Sequence, residues 1–198
     1  MALTAVEVRE RYLRIRERAG ERVTVVAATK YVPVGELAIL AEAGVEVVGE
    51  NRAQDLLAKH AVYGDTFRWH FIGHLQSNKA KVVNEVCELV HSLDSESAAR
   101  KLTVPALLEV NLSGEPTKSG VAPEDVGDWV ERHPSIRGLM TMPPLADDPE
   151  ASRPWFARLA ALGSVHGLEE LSMGTSQDWE VAVAEGATLI RVGSSLVR

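Results

Sequence analysis

The chain of 198 residues holds one cysteine, Cys87, so no disulfide can form within it. Its neighbours Val86, Leu89 and Val90 mark Cys87 as a small core residue rather than a reactive thiol. No apolar run approaches the length of a membrane span, and the segment from Met1 to Gly20 is rich in Arg and Glu without the apolar centre of a signal peptide. A cytoplasmic protein that does not enter membranes is expected. Positive charge is also short: the formal net charge of -7 leaves no basic field to gather nucleic acid or anionic lipid, although a local site could still hold an anionic ligand. Linkers, low-complexity stretches and internal repeats are missing too, and the Met142-Pro143-Pro144-Leu145 patch lies between a strand and a helix. With 45% hydrophobic and 25% charged residues, residues 1–198 read as a single domain with a sizeable core.

What is present is an alternation of strand and helix patterns. Val6, Val8, Leu13 and Ile15, with Leu3 before them, suggest an opening helix that stops near Gly20. Apolar runs at Val23–Thr29, Val45–Val48, Trp69–Ile72, Leu89–Leu93, Val104–Asn111, Ile136–Met140, Leu168–Met173 and Thr188–Val192 read as strands. Between them, Pro33, Asp94 or Ser95, Pro123 and Pro154 mark helix starts, while Gly44 and Gly186 mark stops. The count is about eight strands and seven intervening helices behind one leading helix, the plan of a (β/α)8 TIM-type barrel whose leading helix takes the place of the usual last one. A doubly wound sheet is the alternative. Unusual polar residues at nearly every strand end favour a ring of contributors, and so the barrel.

In a barrel, Lys30, Asn51, His70, Asp94, Asn111, Met140, Gly174 and Gly193 fall near one rim. Lys30 closes the run Val23 to Thr29. A half-buried lysine there loses hydration, its pKa falls, and the neutral amine can form a Schiff base with an aldehyde. The structural alternative is a strand-end lysine turned to solvent. Arg191-Val192-Gly193-Ser194-Ser195 follows the last strand, and Gly174-Thr175-Ser176 follows the one before. Glycines that permit close approach, with serine and threonine donors, suit a phosphate cradle built after the late strands. Arg191 and Gly193 project to the same side of a strand. Arg191 could keep a pyridine nitrogen unprotonated by like-charge repulsion, or sit in an interior salt bridge. His70 and His74 lie about 13 Å apart along an extended chain, and no Cys or carboxylate cluster completes a metal set, so none is expected. Lys118, in the loop Ser113 to Gly120, is a second amine able to reach over the rim.

Taken together, Ala28-Thr29-Lys30, Gly49-Glu50-Asn51-Arg52, His70-Phe71-Ile72-Gly73-His74-Leu75-Gln76-Ser77-Asn78-Lys79, Lys118-Ser119-Gly120, Gly138 to Pro143, Leu171 to Ser176 and Arg191 to Ser194 closely resemble the pyridoxal phosphate homeostasis proteins, the YggS/PROSC family. The resemblance spans nearly the whole chain. It implies a fold-type III barrel like the N-terminal domain of alanine racemase, with pyridoxal 5'-phosphate on Lys30 as an internal aldimine. It further implies phosphate held by Gly174, Thr175, Ser176, Gly193 and Ser194, with Arg191 facing the pyridine nitrogen. Asn51 and His70 would line the pocket, and Lys118 matches a second lysine of cofactor handling. Gln177 departs from the family's frequent acidic residue. The sequence stops at Leu196-Val197-Arg198, where many relatives continue through a glycine and a basic residue, so a pocket wall is expected to be shorter or the rim more open.

The resemblance implies a non-catalytic monomer that stores, buffers or delivers the cofactor, with apo forms of pyridoxal phosphate-dependent enzymes as partners. Amino-acid racemisation is the enzymatic alternative and needs bases on both faces of the substrate Cα. In alanine racemase the second base comes from another domain, which this chain is too short to contain. Tyr12, Tyr31 and Tyr63 offer no obvious replacement, although Tyr31 adjoins Lys30. A third class is a barrel enzyme that uses Lys30 on a phosphorylated metabolite and binds no chromophore.

Overall fold

Side chains that alternate between two faces along short parallel strands can fill a barrel on one face and pack helices on the other. A computed structural model of the chain describes residues 4–197. The strands are β1 (Thr24–Ala28), β2 (Val47–Glu50), β3 (Arg68–Phe71), β4 (Leu89–Leu93), β5 (Ala106–Glu109), β6 (Ile136–Met140), β7 (Glu170–Thr175) and β8 (Leu189–Val192). All pair in parallel and in chain order, and β8 returns to β1 through Thr24↔Leu189 to Ala27↔Val192, closing the barrel. The expected (β/α)8 plan is the observed one.

Around the strands lie α1 (Ala5–Ala19), α2 (Leu37–Glu42), α3 (Ala53–Tyr63), α4 (Ala80–Val86), α5 (Glu96–Ala99), α6 (Val126–Arg132), α7 (Arg153–His166), α8 (Trp179–Ala184) and α9 (Ser194–Val197). Thr4 starts α1 with a capping box: its hydroxyl accepts from the Glu7 N–H and the Glu7 carboxylate accepts from the Thr4 N–H. The buried stripe of α1 is Val8, Tyr12, Ile15 and Ala19, whereas Val6 and Leu13 face solvent and Leu3 lies outside the described residues. Helical spacing selects this set, since positions 8, 12, 15 and 19 share one face. The stripe packs α1 against α2, α8 and α9, so the leading helix fills the gap in the ring between the last helices and the first. Each large apolar side chain buried there contributes about 1.5–3 kcal/mol before the entropy of ordering is subtracted.

The inner face differs from a purely aliphatic filling. Val26, Val47, Leu89, Leu107, Met140 and Leu189 form one apolar cluster inside the barrel. The same enclosure holds His70, His91, Ser172 and Arg191, all buried. Outside the sheet a second, larger cluster joins the other strand face to the helices. Cys87 belongs to it, and burial pushes its thiol up to about 12, as suits a core residue.

Strand ends moved where local bonding overrides hydropathy. β2 runs two residues later than the apolar run, because Glu50 pairs in register with Phe71 and its carboxylate is satisfied by Thr29 and Lys59. β7 starts after Leu168, whose N–H instead bonds Gly163 and finishes α7. α9 stands where a loop was expected after β8.

Candidate functional site

At the C-terminal ends of the strands, where barrels of this kind place their sites, a cavity of about 590 Å³ opens. Its walls come from four places in the chain: Ala28 at the end of β1 with Lys30 and Tyr31 after it; Asn51, Ile72 and Gly73 after β2 and β3; Met142 after β6; and Thr175, Ser176, Arg191, Gly193 and Ser194 from the last two units. That volume falls in the range of small-ligand sites.

Lys30 is exposed rather than half-buried. The chain turns at once after β1, with the Val32 N–H bonded to the Thr29 carbonyl, and this carries the side chain up to the mouth instead of leaving it in the wall. Its Nζ lies 5.0 Å from the Tyr31 ring centroid. Directly behind it, Thr29 is fully buried: its hydroxyl donates to Glu50 Oε1 at 2.5 Å, and Lys59 Nζ donates to the Thr29 carbonyl at 2.8 Å. Lys59 also pairs with Glu50, both side chains being nearly inaccessible. This knot ties α3 to the ends of β1 and β2 and fixes the backbone from which Lys30 projects.

On the wall built by the last two units, three donors converge on one point. The Gly193 N–H and the Ser195 N–H lie 2.9 and 3.2 Å from Ser176 Oγ, and the Ser195 hydroxyl is at 3.1 Å. Ser176 Oγ thus accepts where a phosphate oxygen could accept, and rotating that hydroxyl would free the amides. Thr175 is held by Asp178, which accepts both its N–H at 2.7 Å and its hydroxyl at 3.1 Å.

Arg191 enters the cavity from the barrel interior. Its Nη1 donates to Ser172 Oγ at 2.5 Å, and its Nη2 donates to the Thr141 carbonyl at 3.3 Å and to Met142 Sδ at 2.9 Å. No ion pair engages it among the described residues, which removes the interior salt bridge as its explanation. Burial pulls its pKa down to about 10, with Glu109 and Asp178 acting the other way, so it stays a cation at neutral pH.

Several anticipated site residues lie elsewhere. His70 is not in this cavity: on β3 the period of two sends its ring into the barrel and brings Ile72 to the mouth in its place. Its Nδ1 meets His91 Nε2 at 2.9 Å, and His91 Nδ1 meets Ser172 Oγ at 2.7 Å. Gly174 also falls outside the lining. Its φ of 89° and a would-be Cβ only 2.5 Å from the Ala182 Cβ make it the residue that lets α8 close on β7. Ser194 lines the cavity as an exposed residue. Lys118 is kept from the lining by its own loop: its Nζ sits 3.3 Å from Glu115 Oε1, and Asn111 Nδ2 donates to the Glu115 and Lys118 carbonyls. His74 pairs at the rim with Asp94 at 3.3 Å. Gly73 was unremarked by sequence reading beyond its motif, yet a Cβ there would lie 2.2 Å from the Asn51 carbonyl oxygen. His91 was not singled out, and Ser172 only as part of its motif. Their signal was a polar residue inside an otherwise apolar strand.

The arrangement defines a class: a parallel barrel with a lysine after its first strand, and a hydroxyl-and-amide cradle and a buried arginine at its last two. The family model described as alanine racemase, N-terminal domain, matches residues 5–198. Pyridoxal phosphate homeostasis proteins of Aquifex aeolicus and Pseudomonas aeruginosa are 38% and 37% identical, over 96% and 99% of this chain and 93% and 95% of theirs. The structure of PipY of Synechococcus elongatus with pyridoxal phosphate bound superposes with a TM-score of 0.86 at 34% identity, over 96% of this chain and 100% of that one. Alanine racemase of Corynebacterium glutamicum shares the fold alone, with a TM-score of 0.74 at 16% identity, and this chain covers 61% of it. The chain belongs to the pyridoxal phosphate homeostasis protein family.

Proposed function

We propose that this chain is a non-catalytic carrier that holds pyridoxal 5'-phosphate at the C-terminal mouth of its barrel, as a Schiff base on Lys30, and stores or delivers it inside the cell. The carrying observation is that one cavity is lined by the exposed Lys30, by Arg191, and by Ser176 and Gly193 of the hydroxyl-and-amide cradle. The cofactor would supply an aldehyde carbon and Lys30 the amine nitrogen that bonds to it, the carbonyl oxygen leaving as water. Ser176 would yield its acceptor position to the phosphate, and the Gly193 and Ser195 amides would donate to it. Arg191, a cation held by neutral acceptors, disfavours a proton on a pyridine nitrogen beside it. Asn51 fills the wall between these groups. An incoming amine would take the place of the Lys30 nitrogen and free the cofactor, so an apo-enzyme that offers its own lysine is the recipient this chemistry would suit. The bound aldehyde is then kept from indiscriminate reaction while remaining transferable.

The racemase alternative has one supporting observation: of the three tyrosines, Tyr31 shares the cavity with Lys30. Tyr12 is buried on the inner face of α1, and the Tyr63 hydroxyl donates to the Val34 carbonyl and accepts from the Ala38 N–H. Adjacent residues on one turn approach a substrate from one side, which does not supply bases to both faces of a Cα. Titrating the protein with pyridoxal phosphate while recording visible absorbance tests the carrier reading. A saturable band is expected for the native chain and none for Lys30→Ala, with unchanged circular dichroism and no racemisation of alanine by the loaded protein. An equal band in Lys30→Ala, or racemisation lost with Tyr31→Phe, would overturn it.

A further inference from the structure

At the opposite mouth, where the strands begin, a cavity of about 600 Å³ is lined by Arg22, Arg68 and Arg137, by Glu88 and Glu170, and by His70. We propose that this N-terminal mouth is a second binding site, for a small carboxylate or phosphate-type anion, with the His70 Nε2–H as its innermost donor. The inference does not depend on what Lys30 binds.

The direction of one buried hydrogen-bond chain carries it. Arg191 can only donate, so Ser172 Oγ accepts from it. No acceptor for the Ser172 proton other than His91 Nδ1 occurs among the described residues, so His91 Nδ1 must be bare. Both rings are neutral, since burial draws the pKa of His70 down to about 3 and that of His91 well below its usual value. A neutral His91 with bare Nδ1 carries its proton on Nε2 and donates it to His70 Nδ1 at 2.9 Å. His70 therefore holds its own proton on Nε2. That nitrogen has no protein partner among the described residues, although the residue is only 2% accessible and its open side is the N-terminal cavity. The nitrogen is not among the buried atoms left without a partner, so it reaches the solvent of the cavity, where an acceptor of fixed position can take the place of the water it donates to.

The surrounding charges choose among acceptors. Arg68 is matched by Glu88 at 2.8 Å, whereas Arg22 and Arg137 have no ion-pair partner among the described residues. Glu170 is the remaining carboxylate; burial raises its pKa and Arg137 lowers it. With Arg68 matched by Glu88, two guanidiniums and one imidazole N–H face the single carboxylate of Glu170, an excess of positive charge that favours an anion over a cation or a neutral solute.

Histidine 15N resonances of the wild-type protein test this without any core substitution. Both His70 and His91 are expected as Nε2–H tautomers. Succinate and inorganic sulfate, titrated separately, should give a saturable shift of the His70 Nε2–H with either or both, succinate indicating a carboxylate ligand and sulfate a phosphate-type one. Arg22→Gln combined with Arg137→Gln, both on the exposed rim, should weaken that response at least about tenfold through loss of charge-assisted contacts. An Nδ1–H tautomer at His70 would overturn the proposal. So would no saturable response to either anion, an unchanged response in the double variant, or shifts confined to the Gly193 and Ser195 amides, which would place the anion at the other mouth.

Discussion

Arg191 shows how much depends on what a charged side chain is bonded to. A guanidinium paired with a carboxylate would present little net charge to the cavity, but Arg191 is held by a hydroxyl, a carbonyl and a thioether. Arg191→Gln should therefore leave pyridoxal phosphate binding to Lys30 possible while changing the absorbance of the bound form, because a proton on the pyridine nitrogen is no longer opposed. Affinity should drop about tenfold for one lost charge-assisted contact. Spectrophotometric titration checks both, and a spectrum identical to wild type would place the guanidinium away from the ring. Lys30, Ser176 and Arg191 were legible as chemistry because strand ends in a barrel converge whatever the loops do. His70 was not, since the rim was counted from the motif rather than from the alternation of faces. Two positions further along the same face lies Ile72, which reaches the mouth. Lys118 depended on a loop whose internal bonds no spacing encodes.

Among the elements, α3 does most to hold the first two strand ends, through one residue. Lys59 reaches from the helix to the Thr29 carbonyl and the Glu50 carboxylate, and Glu50 Oε2 already lacks a partner. Lys59→Met leaves a buried carboxylate unopposed and should cost about 3–5 kcal/mol of stability. Chemical denaturation measures that loss; a change below about 1 kcal/mol would mean that water reaches the knot. The sequence pattern located these elements well because strands bounded by glycine and proline have few alternatives. It placed β2 too early, because a charged residue in a strand reads as its end until its partner, nine positions on in the next helix, is known. It missed α9 for a related reason: four residues carry too little periodicity to distinguish a helical turn from a loop.

At the scale of the whole molecule, the polar column inside the barrel ties stability to pH. His70 and His91 take up protons on unfolding below about 6.5, so their contribution to stability is present above that pH and is lost as pH falls. Glu109 acts the other way. Burial and then Asp94 raise its pKa from 4.5 to about 7, so the folded state binds the extra proton and Glu109 favours folding at the acid end of that window. Two groups against one give a net loss of stability on acidification between about pH 6.5 and 4.5. Glu109→Gln should steepen that loss, measurable as melting temperature against pH; an unchanged slope would mean that Glu109 is ionised in the fold at pH 6. The hydrogen-bonded column from His70 through His91 and Ser172 to Arg191 runs from the N-terminal cavity to the cavity at the C-terminal mouth.

The most direct test of the carrier function is borohydride reduction of the protein loaded with pyridoxal phosphate, followed by peptide mass mapping. A phosphopyridoxyl mass confined to the peptide containing Lys30 is the expected result. The same mass on Lys118 or spread over surface lysines, with Lys30 unmodified, would contradict it.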